Sequence, residues 1–80
     1  MKLENRGEIG VGALYRHYKG SCYQVVALAY HSETLEEMVV YQALEGEKSV
    51  WVRPRAMFEE WVEVDGERKA RFALMKKDLV

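Results

Sequence analysis

Residues 31–47 read HSETLEEMVVYQALEGE, and the fold turns on whether they form a helix or a loop followed by a strand. Thr34 with Glu37 three positions later has the form of a capping box. Leu35, Met38, Val39 and Gln42 recur at helical spacing, and Gly46 would close such a helix. Against this, residues 38–41 are rich in β-branched and aromatic types, and a strand over 38–44 puts Val39, Tyr41 and Ala43 on one face. Taken alone, the local pattern supports both.

The flanking sequence is strand-like on both sides. Upstream, ALYRHY and SCYQVVALAY are separated by Lys19-Gly20, where glycine can take a positive φ at little cost, the mark of a hairpin. Within residues 22–30, Tyr23, Val25, Ala27 and Ala29 alternate with Gln24, Val26, Leu28 and Tyr30. Both sets are largely apolar, so a strand covered on both sides is expected. Downstream, VWVRP is a short strand stopped by Pro54, and RPRAMFEE offers one helical turn with proline near its start. In that turn Met57 and Phe58 are expected to plug the core. WVEV and ERKARFALM flank Asp65-Gly66, a pair suited to the type I′ turn of a hairpin, with Ala70, Phe72 and Leu74 on the buried face.

Eighty residues make one domain, with residues 1–10 as a loose arm, 11–75 as the folded body and 76–80 as a tail. Twelve Lys and Arg against thirteen Asp and Glu leave a net charge of −1, which disfavours a dedicated nucleic-acid binder, though Arg16, Lys19, Arg53 and Arg55 could make a local patch. The single cysteine, Cys22, has no partner for an internal disulfide. With no apolar run near the ~20 residues that span a bilayer, a cytoplasmic, reducing setting is expected and no membrane association.

The runs YRHYKGxxYxVxxxAxHSETLEExVVYQAL and WVRPxxMFxE, over about residues 12–64, resemble the signature of the bacterial domain-of-unknown-function family 1653. The resemblance implies a small all-β fold, an SH3-like barrel of about five strands with one short helical turn near residues 54–59. It carries no assigned activity. It also tips residues 31–47 toward loop plus strand, with 32–37 as a turn or one short helical turn.

Three groupings could carry chemistry. His31, Ser32 and Glu33 contain the residue types of a serine triad, but neighbours on an extended chain point to opposite faces, and no glycine-flanked elbow presents the serine. His17, Cys22, His31, Glu33 and Glu36 match no zinc-ligand spacing, so no metal or other cofactor is expected. Arg16, His17, Tyr18 and Lys19, with Trp51, Arg53 and Arg55, interleave cations and aromatics in the way that holds an anion or stacks a planar group. The sequence therefore favours a non-enzymatic recognition module over a small hydrolase using His31 and Glu33. Its expected binding residues are Arg16, His17, Tyr18, His31, Glu33, Thr34, Trp51 and Arg53, gathered near the 31–37 loop around an unidentified ligand or protein partner.

Overall fold

Residues 31–47 form a loop and a strand. In the computed structural model, which describes residues 9–76, His31 to Glu36 make a polar turn and β3 (Glu37–Ala43) follows it. The helix loses because Val39 and Tyr41 belong to the core, and a strand delivers both to the same face. Gly46, at φ +67°, turns the chain between strands instead of ending a helix.

Around β3 the chain builds β1 (Leu14–His17), β2 (Cys22–Tyr30), β4 (Val50–Pro54), the one-turn helix α1 (Arg55–Phe58), β5 (Trp61–Val64), β6 (Glu67–Ala70) and β7 (Phe72–Lys76). Five strands form an antiparallel sheet in the order β4-β3-β2-β1-β7, and β5 pairs with β6 as a separate hairpin. The domain is all-β as expected, but with seven strands in two sheets rather than about five in a barrel. The large sheet curls without closing, since β4 and β7 remain its edges.

The curl comes from its side chains. Tyr15, Val25, Val39, Tyr41 and Phe72 line the concave face, and Phe58 from α1 drops onto them. Phe58 stacks on Phe72 with ring centroids 4.1 Å apart and meets Tyr15 edge-on at 5.1 Å. Tyr41 lies 5.3 Å from Phe72, although β3 and β7 are separated by two strands. Aromatic contacts thus draw the two sides of the sheet together where no backbone ladder does.

Several expectations need correction. Of the expected plug only Phe58 is buried, at 1% exposure, while Met57 keeps 44%. The run ERKARFALM is not one strand: it breaks at Arg71, so β6 and β7 lie in different sheets and Leu74 stays exposed. In β2 a bulge between Val25 and Ala27 shifts the register, so Leu28 pairs with Val39 and takes the face expected for Ala27. Beyond that bulge β2 is mostly exposed, because β1 pairs only with residues 22–24. Cys22 is half-buried with a free thiol. Ile9, in the stretch expected to be a loose arm, is buried to 2%. The rest of that arm, residues 1–8, and most of the tail, 77–80, lie outside the described residues.

Candidate functional site

His17 ends β1 on the concave face, paired in register with Phe72, and its ring meets that phenyl edge-on at 4.9 Å. The turn that follows needs Gly20 at φ +114°, and it closes with the Gly20 N–H donating to the His17 carbonyl at 2.7 Å. It also folds the Lys19 backbone N–H back onto His17 Nδ1 at 3.1 Å, leaving Nε2 to carry the proton of the neutral ring. Tyr18 lies against the imidazole at 4.6 Å, and Lys19 Nζ sits 5.8 Å from the Tyr18 ring centre.

Arg53 approaches from the opposite edge of the sheet. Its register partner is Val39, so its side chain enters the concave side, where Nε–H donates to Tyr41 Oη at 3.1 Å. The guanidinium carbon lies 5.8 Å from the centre of the Phe72 ring, the same ring that His17 touches. Trp51 pairs with Tyr41 and shares this side two residues away, but remains 55% exposed beside the core.

The imidazole titrates below its ordinary range. Burial is the main cause, followed by the positive charges of Arg53, Arg71 and Lys19. Arg71 is neutralised locally, since its Nη2 donates to Glu60 Oε1 at 2.9 Å. Arg53 and Lys19 have no carboxylate partner among the described residues.

The other expected site residues lie elsewhere. Arg16 neighbours His17 in the strand and therefore points to the convex face, opposite Cys22 and Ala73. Arg55 is held by Glu37 at 3.2 Å, which ties α1 to β3, and by Glu59 at 3.0 Å at the end of α1, and both keep its charge in place despite burial. His31, Glu33 and Thr34 occupy the turn at the far end of the nine-residue β2, roughly 25 Å of strand from the turn after His17.

In that distant turn His31 Nδ1 accepts the backbone N–H groups of Glu33 (3.0 Å) and Thr34 (3.3 Å). Thr34 Oγ1 accepts the Glu36 N–H at 3.2 Å, and the Ser32 hydroxyl donates to Glu33 rather than to His31. These bonds fasten the turn. Among the described residues no three His, Cys, Asp or Glu side chains gather as metal ligands would.

Sequence reasoning missed Arg71 and Phe72 as companions of His17. The signal was faint: only the ladder between β1 and β7 sets Phe72 opposite His17, and that pairing joins residues far apart in the chain.

The structure thus defines a class: a small all-β domain with one curled antiparallel sheet plugged by a one-turn helix, carrying a cluster of cations and aromatics on its concave side. A family model described as "Protein of unknown function (DUF1653)" matches residues 13–74, and the chain belongs to that family. The crystal structure of a DUF1653 protein from Bordetella bronchiseptica is similar to it, with 31% sequence identity and a TM-score of 0.77, over 91% of this chain and 94% of the other. No curated protein matches the chain. No helix among the described residues is long and apolar enough to cross a membrane.

Proposed function

We propose that the chain is a non-enzymatic recognition module of the cytoplasm, and that it captures its ligand or protein partner at the cluster of His17, Tyr18, Trp51 and Arg53. One observation carries this reading. Arg53 and His17, from opposite sides of the sheet, meet on one phenyl ring, and Arg53 does so without a carboxylate partner among the described residues. Half-buried arginines are ordinarily paired, as Arg55 and Arg71 are here.

A hydrolase built on His31 and Glu33 has less support, because His31 Nδ1 is engaged by two backbone amides and Ser32 is directed to Glu33. Nucleic-acid binding through Arg16, Lys19, Arg53 and Arg55 is weakened by their dispersal over both faces and by the ion pairs of Arg55.

The test is an amide NMR spectrum of the full chain, recorded alone and with pooled nucleotides, short oligonucleotides, peptides and divalent metals. Amides of residues 17–19, 51–53 and 72 are expected to shift together with one pool. Arg53→Ala should remove those shifts. His31→Ala should leave them in place and lower stability by about 1 kcal/mol through the loosened turn. Shifts confined to residues 31–37 would move the site to that loop.

A further inference from the structure

Resting on the recognition reading above, we infer that the group recognised is an oxyanion, a carboxylate or phosphate of a small ligand, held by the Arg53 guanidinium, His17 Nε2 and Lys19 Nζ beside the Phe72 ring.

The argument is an account of donors. A guanidinium carries five N–H bonds in a planar fork. Arg53 uses one of them, Nε–H to Tyr41 Oη, and its four terminal N–H bonds find no acceptor among the described residues. Among the described residues the other two arginines that reach into the fold are committed to acids, Arg55 to Glu37 and Glu59 and Arg71 to Glu60. On His17, Nδ1 accepts the Lys19 amide, so the Nε2 proton is the one on offer, and no acceptor among the described residues takes it. Among the described residues Lys19 Nζ has only the face of Tyr18. Arg53 and His17 therefore meet on Phe72, with Lys19 held over Tyr18, the ring stacked beside the imidazole, and among the described residues no acceptor is assigned to the three.

The charge is local and not a property of the chain as a whole. The sequence as a whole is slightly acidic, at −1, yet no carboxylate pairs with Arg53 or Lys19 among the described residues, and Glu60 is taken by Arg71. Arg53 sits against Phe72 and Tyr41, whose rings pack with Tyr23 and Phe58, and an apolar wall strengthens a charge-assisted hydrogen bond relative to open water. Tyr41 fixes the guanidinium in place. A planar fork held at one corner suits a two-oxygen face, which carboxylate and phosphate share. Trp51, exposed on the same side of β4, is a platform for whatever ring or chain the anion is attached to.

The experiment is side-chain NMR of the full chain with ¹⁵N-labelled arginine and histidine. It is titrated at constant ionic strength with inorganic phosphate, adenosine monophosphate, acetate and an N-acetylated tripeptide with a free C-terminus, with chloride as reference. Saturating shifts of Arg53 Nε and His17 Nε2 are expected with at least one of these anions, and at least tenfold weaker binding in Arg53→Gln. Arg16→Gln, on the opposite face, should bind as the parent does. Saturation with phosphate or the nucleotide alone assigns the source to phosphate; saturation with acetate or the tripeptide alone assigns it to carboxylate. Either outcome supports the site. Should Arg53→Gln unfold, Lys19→Gln and His17→Gln carry the comparison, each expected to weaken binding by threefold or more. Shifts that rise linearly and equally with chloride, or that survive Arg53→Gln, overturn the inference. If a pooled ligand moves amides 17–19 and 53 while no oxyanion does, the module still recognises something there and the oxyanion assignment alone falls.

Discussion

Phe58 and Leu35 show how little a residue's type says about its energetic role. Phe58 touches Tyr15, Tyr41 and Phe72 and has almost no exposed surface. Phe58→Ala is therefore expected to cost about 3–5 kcal/mol, read from urea unfolding, with the m-value retained if the sheet keeps its curl. Leu35 is the opposite case. It is 71% exposed and held at φ +65°, a left-handed conformation that disfavours a Cβ-bearing residue by roughly 1–2 kcal/mol. Leu35→Asn should thus stabilise the protein by about 0.5–1 kcal/mol, seen as a raised Tm; a loss of stability would mean that the leucine side chain packs in solution. At this scale the sequence named Phe58 as part of the plug and, in its strand alternative, set Val39 and Tyr41 on one face, and all three are buried. It could not separate Met57 from Phe58, or Trp51 from Tyr41. Those differences depend on which side of a single helical turn, or which neighbour in the sheet, receives the side chain.

Among the elements, the turns were the most legible because their chemistry is local. Asp65 at φ +52° and Gly66 at φ +81° form the β5–β6 turn that the Asp-Gly pair predicts. Nothing lies within 4 Å of where a Cβ on Gly66 would stand, so Gly66→Ala isolates the backbone strain. It should lower stability by about 1 kcal/mol, measured by thermal unfolding, while Gly66→Asn, whose side chain tolerates this conformation, should cost less. The strand ends were less legible. No residue type in VVALAY announces the bulge after Val25, which arises from fitting β2 to β3 and to the 10–13 loop at once. The break at Arg71 is tertiary as well: the Arg71 carbonyl accepts the Tyr18 amide at 2.9 Å, and this draws the chain out of one sheet and into the other.

For the whole molecule, curvature matters most, because it brings β1, β3 and β4 side chains onto the Phe72 ring of β7 and sets Arg53 beside His17. The sequence grouped these two residues, 36 positions apart, by their interleaved cations and aromatics, but it gave no sign that Phe72 would be the ring on which they meet. The convergence has a pH signature. Burial and the charges of Arg53, Arg71 and Lys19 lower the His17 pKa in the folded chain relative to its unfolded value near 6.5. Below that value the unfolded chain takes up the proton more readily, so this contribution to stability is intact above pH 6.5 and declines as pH falls toward the folded pKa. The Tm should fall over this interval, and His17→Gln should flatten that part of the profile; an unchanged slope would show that another group carries it. The β5–β6 hairpin lies outside this coupled region. Its two roots are clasped, with the Arg71 N–H donating to the Glu60 carbonyl at 2.9 Å and their side chains paired at the same distance. Residues 61–70 therefore leave and rejoin the body at one point, as an interchangeable cassette. Foreign peptide spliced in at Asp65-Gly66, or a shorter turn put in place of the hairpin, would load only that clasp, which makes this corner the natural place for the chain to acquire new surface while the aromatic interior stays as it is.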